Sequence, residues 1–157
     1  MITSVPAQLP SGSLRQASGL AVTYEQFYSA LDTLVDDSGA NMDLGCSEGN
    51  IDEMARRCKQ HTPNRPVCVV AQWKWVDSEL TRLGKIGDSE SLTYSFLYAN
   101  RIIRDSRNRG FNSVFTSPFK TLTDGCLFHT QNSIYMLVGP GKRIYIQPDV
   151  VALLRLI

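Results

Sequence analysis

No apolar run in this sequence approaches the ~18 residues that a membrane-spanning helix requires. Residues 1–19 carry one basic residue, Arg15, and no continuous apolar core, so the pattern of a secretory leader is missing. An excess of charge of one sign is missing too. Sixteen Lys and Arg against 15 Asp and Glu leave a formal net charge of +1. That balance excludes a polyanionic mimic of nucleic acid and a strongly basic nucleic-acid coat. Histidine is scarce, with only His61 and His129. The four cysteines, Cys46, Cys58, Cys68 and Cys126, form no C-x-x-C knuckle. Cys58 and His61 have ligand spacing but lack a second knuckle, so no metal site is assigned. The acidic residues Asp36, Asp37, Asp43 and Glu48 lack the ordered oxygen spacing of a calcium loop. G-x-S-x-G and H-E-x-x-H motifs are absent, and Gly139-Pro140-Gly141-Lys142 lacks the spacing of a phosphate loop. No cofactor is expected. The expected compartment is a reducing cytoplasm, with free thiols packed as small apolar side chains.

What is present is ordinary for a globular chain. At 43% hydrophobic and 20% charged residues, 157 residues can build one core. Residues 1–19, rich in Ser, Pro, Gly and Gln, read as a flexible arm, and residues 20–157 as a single domain. Thr23 and Gln26 have capping-box spacing, and Phe27, Ala30, Leu31, Leu34 and Val35 follow as one apolar stripe. A second helix is expected from a Ser47 cap, with Ile51, Met54, Ala55 and Cys58 inward and Pro63 beyond its end.

Strand signals then take over. Residues 67–76, VCVVAQWKWV, alternate so that Val67, Val69, Ala71, Trp73 and Trp75 share one face, with the tryptophans expected in the core. Residues 92–103 are rich in β-branched and aromatic side chains and read as a second strand. The end of the chain reads as three antiparallel strands over residues 126–130, 133–138 and 142–146. Gln131-Asn132 and Gly139-Pro140-Gly141 are the expected reversals. Residues 150–156 permit a closing helix or a strand. The expected class is α+β: two N-terminal helices packed on a mostly antiparallel, curved sheet of four to six strands.

The C-terminal block resembles an uncharacterised family of small bacterial and phage-borne proteins. The matching positions are Asp105-Ser106, Ser117-Pro118-Phe119, Phe128, Thr130, Asn132, Tyr135 and Gly139-Pro140-Gly141. The resemblance implies no activity and no catalytic residues. It implies a setting of phages and mobile elements, where small proteins often act by binding host machinery.

Two function classes remain. The first is a non-enzymatic macromolecule-binding protein, in that setting an inhibitor or regulator of a host defence complex. Its candidate contacts are Arg101, Arg104, Arg107 and Arg109 with Tyr98 and Lys142, since guanidinium and phenol groups dominate contact hot spots. The expected partner is a host protein or ribonucleoprotein complex, with nucleic acid as the alternative through the arginine-rich loop. No membrane is involved, and a homodimer is compatible with the sequence. The second class is a small ribonuclease or toxin-like enzyme. It would use His129 for proton transfer with Arg104 and Tyr135 nearby, or with His61 or Lys142 as the second group.

Overall fold

The computed structural model describes residues 14–15, 21–81 and 91–156. The flexible arm expected over residues 1–19 lies outside them, apart from β1 (Leu14–Arg15), which pairs antiparallel with β2 (Ala21–Val22). The capping box forms as its spacing dictates. Thr23 Oγ1 accepts the Gln26 N–H, Gln26 Oε1 accepts the Thr23 N–H, both at 3.0 Å, and α1 (Tyr24–Val35) follows. β3 (Ala40–Met42) leads to a 3-10 turn, Glu48–Asn50, which Ser47 precedes without a side-chain cap. α2 (Ile51–His61) then buries Ile51 and Cys58, with Met54 and Ala55 packed beside them. Asp52 and Glu53 lie in its first turn and Lys59 in its last, which suits the helix dipole.

β4 (Val67–Thr81) and β5 (Ser91–Asp105) form a long antiparallel pair at the centre of the sheet. Short strands follow: β6 (Val114–Phe115), β7 (Thr121–Thr123), β8 (Leu127–His129), β9 (Ile134–Val138) and β10 (Gly141–Tyr145). The chain described ends on α3 (Pro148–Leu154), with Pro148 at the helix start. The main sheet has eight strands in the order β3-β10-β4-β9-β8-β7, with β5 and then β6 beyond the other edge of β4.

This is α+β, but the sheet is mixed, not mostly antiparallel, and the described residues form three α-helices where two were expected to pack on it. The chain does not reverse at Gly139-Pro140-Gly141. β9 runs parallel to residues 67–71 of β4, and β10 continues parallel to residues 74–77. Ala71 faces Val138 and Lys74 faces Lys142, so one extra residue is absorbed at the break. Gly139 takes φ +74°, which accommodates the step. Trp73 seals it: its Nε1–H donates to Gly139 O at 3.0 Å, and its ring lies where a Cβ on Gly141 would be. The antiparallel three-strand unit is β7-β8-β9 instead. Its first turn is Asp124-Gly125, both at positive φ as a tight hairpin needs. Cys126 closes that turn and so lies outside the strands.

A second irregularity reverses the alternation along β4. Gln72 has φ +52°, and a left-handed residue inside a strand turns the following side chains over. Trp73 and Trp75 therefore pack with Cys68, Val70, Leu97, Phe128, Tyr135 and Leu137, and not with Val69. Val69 lies under α2 with Ile51, Cys58, Ile134 and Met136. Beyond Gln72, Val76, Phe96, Ile144 and Ile146 lie under α1 and α3. One sheet face is thus covered by α2 in its first half and by α1 with α3 in its second. The other face closes on itself: Phe119 meets Trp75 at 4.8 Å and Phe128 at 5.1 Å, and its N–H donates to Ser95 O.

Candidate functional site

The arginine-rich loop does not present its side chains together. Asp105, at the end of β5, accepts from Arg109 Nε at 2.7 Å and from the Arg107 N–H at 3.1 Å. Arg107 Nε is 3.9 Å from the same carboxylate. Burial alone would raise the Asp105 carboxyl, but the Arg109 and Arg107 hydrogen bonds outweigh it and hold it below its usual value. Two of the four arginines are therefore structural. Arg101 is exposed on β5 opposite Ala71. Tyr98 lies under the other half of the sheet. It borders a hollow of about 550 Å³ with Tyr28 and Leu31, and its hydroxyl donates to Asn100 Oδ1 at 3.1 Å. Lys142 sits at the sheet break, 3.6 Å from Asp37.

Arg104 lines a different concave site. A groove of about 450 Å³ runs between the last turns of α2, residues 62–66, the start of β4 and the end of β5. Ala55, Cys58, Val67 and Val69 make an apolar floor, and Lys59, Arg65 and Arg104 stand around it, with no carboxylate lining it among the described residues. Ser106 anchors the mouth: its Oγ accepts the Val67 N–H, and its N–H donates to Val67 O, both at 3.0 Å. Arg65 is fixed by donation from Nη2 to Thr130 O, and its buried Nε has no partner among the described residues. Arg104 Nη2 lies 3.2 Å from Asp52 Oδ1, a pair open to solvent on both sides. Burial, then the Asp124 charge, raises the Cys58 thiol, which stays protonated.

A smaller hollow of about 240 Å³ adjoins the groove and shares Cys58 and Thr62 with it. His61 and His129 both line it, with Arg57, Thr123 and Asp124. His129 Nε2 is 2.9 Å from Thr123 Oγ1, and Arg57 Nη1 is 3.3 Å from Asp124 Oδ1. Burial, then the Arg65 charge, lowers the His129 pKa, and Asp124 pulls the other way, so the ring is neutral at pH 7. Tyr135 is not part of this hollow. Strand alternation sends Phe128 and Tyr135 to the tryptophan face while His129 and Ile134 face α2, so the set His129, Arg104 and Tyr135 does not assemble.

Sequence reasoning singled out neither Lys59 nor Arg65. It also passed over Lys74, whose buried ammonium donates to Ser38 O at 2.5 Å and lies 4.0 Å from Asp36. The signal for Lys74 was available: it is the one charged side chain in the run VCVVAQWKWV. Burial lowers its pKa against the pull of Asp36 and Asp37.

Among the described residues no three His, Cys, Asp or Glu side chains converge as metal ligands, and no helix is long and apolar enough to cross a membrane. No curated protein and no solved structure matches the chain. Residues 43–153, which hold the groove, the adjoining hollow and the arginine-rich loop, match the family model described as a domain of unknown function (DUF6957), and the chain belongs to that family.

Proposed function

We propose that the protein is a non-enzymatic macromolecule-binding protein that acts through the groove beside α2. The observation that carries this reading is the groove's composition, an apolar floor ringed by Lys59, Arg65 and Arg104 with no lining carboxylate among the described residues. Such a surface gains apolar burial and charge-assisted hydrogen bonds from one occupant. In the phage or mobile-element setting suggested by the C-terminal motifs, the occupant belongs to a host protein or ribonucleoprotein complex in the cytoplasm. The test is capture from a host lysate by the wild type and by Lys59→Glu/Arg104→Glu. Both substituted side chains are exposed, so the fold is kept and the specifically captured partners are lost. Equal capture by the two proteins removes the groove from the reading.

A second reading, a small ribonuclease, is favoured by one observation: both histidines of the chain line the same hollow. A neutral His129 is suited to accept a proton, and His61 is the candidate acid. The measurement is RNA cleavage by the wild type, His129→Ala and His61→Ala. This reading requires cleavage by the wild type and a fall of about 100-fold or more in each variant. Absence of cleavage in the wild type ends it.

A further inference from the structure

We infer that the occupant of the groove beside α2 is an extended protein segment carrying a carboxylate next to an aliphatic side chain, and not a nucleic acid. The inference rests on the binding reading above and names its partner class.

Three features of the groove select this chemistry. The first is the floor. Ala55, Cys58, Val67 and Val69 are aliphatic or small, and among the described residues no aromatic side chain lines the groove. Single-stranded nucleic acid is held by stacking its bases on aromatic rings, each worth about 1–3 kcal/mol. A groove without them forgoes that contribution, whereas an aliphatic floor matches Val, Leu or Ile. The second is charge. Among the described residues three cations and no carboxylate line the groove, on a chain whose net charge is only +1, so the attraction for an anion is local. A duplex backbone is met by an extended basic face, and this one is confined to about 450 Å³. That volume admits two or three side chains of an extended peptide.

The third feature is the state of the cations. Arg65 is held by Thr130 O and by the turn between Pro63 and Pro66, so its guanidinium is already oriented. A planar guanidinium matches a carboxylate with two parallel hydrogen bonds. Among the described residues Arg104 is held only by Asp52, whose side chain is 90% exposed. Exchanging that screened partner for a carboxylate of the occupant costs little. Lys59, exposed on the last turn of α2, can close over the occupant.

The experiment uses the full chain. A display library of random 12-residue peptides is selected on the wild type and counter-selected on Lys59→Glu/Arg104→Glu, and the enriched peptides are titrated by fluorescence anisotropy. A labelled 20-nucleotide single-stranded RNA and a labelled DNA duplex of the same length are titrated in parallel. Enriched peptides should place Asp or Glu beside Val, Leu or Ile. They should weaken at least tenfold on Lys59→Glu/Arg104→Glu, and again on Ala55→Phe, which fills the floor and leaves every charge in place. Thermal melting of each variant checks that the fold is kept. Three results overturn the inference, and they differ in what they leave standing. If RNA or DNA binds, loses at least tenfold on Lys59→Glu/Arg104→Glu, and no acidic peptide is enriched, the groove is a binding site for a different partner. If neither peptide nor nucleic acid binds in a way the variants change, the binding reading falls with it. Enrichment of peptides lacking Asp and Glu also overturns the inference.

Discussion

Of the four arginines between positions 101 and 109, two are held by Asp105, whose side chain is 6% exposed. The carboxylate also accepts backbone N–H groups from Arg107 and Arg109, so it orders the loop that follows β5. Asp105→Asn keeps the shape but removes the charge opposite Arg109. It should cost about 2 kcal/mol, the scale of a hydrogen bond between charged groups. The pH dependence has a definite sign. The folded-state pKa lies below 3.8, so the unfolded chain takes up the proton first as pH falls. The stability contributed by Asp105 is present above pH 3.8 and is lost as pH drops through the folded value. Urea unfolding of wild type and Asp105→Asn between pH 5 and pH 2 measures this. The variant should show the shallower acid loss, and parallel curves would contradict the assignment. The arginine cluster itself was legible in the sequence. Its division into bound and free members was not, because spacing does not show which guanidinium a neighbouring carboxylate will hold.

At the scale of elements, what could be read from the chain was local. The capping box, the α2 stripe and both long strands follow from side-chain period and cap chemistry, and all four form. What could not be read depends on partners distant in sequence. Gly139-Pro140-Gly141 has turn chemistry, but β4 offers a continuous parallel edge, and the chain steps along it. Gln72 carries no signal for positive φ, since Gln is not among the residues that favour the left-handed region. Its geometry is imposed by the shift that brings Trp73 beneath Gly141. This gives a prediction opposed to strand propensity. Val is a better strand former than Gln, yet Gln72→Val should destabilise the protein by about 1–2 kcal/mol, because a β-branched side chain fits φ +52° poorly. Chemical denaturation decides it: an unchanged or higher midpoint would show that the strand relaxes at position 72.

Across the whole molecule, the groove draws on two stretches that meet only after folding: residues 55–69, from α2 into the start of β4, and residues 104–106 at the end of β5. No window of sequence holds Lys59, Arg65 and Arg104 together, which is why only Arg104 was legible as a contact. The same assembly buries thiols on both sheet faces: Cys68 among the tryptophans, Cys58 and Cys126 under α2. Burial, with a smaller push from Asp105, raises the Cys68 thiol to about 11, and burial with the neighbouring Cys46 raises Cys126 as well. An unfolded thiol ionises near 9.0. Between that value and the folded one, the unfolded chain has lost a proton that the folded chain keeps, so stability falls as pH rises. Each such thiol should cost about 1.4 kcal/mol between pH 8 and pH 10, since one unit of pKa is worth that much. Urea unfolding at the two pH values should therefore show a clear alkaline loss in the wild type. Cys68→Ala should be less stable than wild type at pH 8, because the core loses a sulfur, yet lose about 1.4 kcal/mol less on going to pH 10. An identical alkaline loss in the two proteins would mean that Cys68 ionises as freely folded as unfolded. The packing of Trp73, Trp75 and Leu97 around it would then not exclude water as the fold requires.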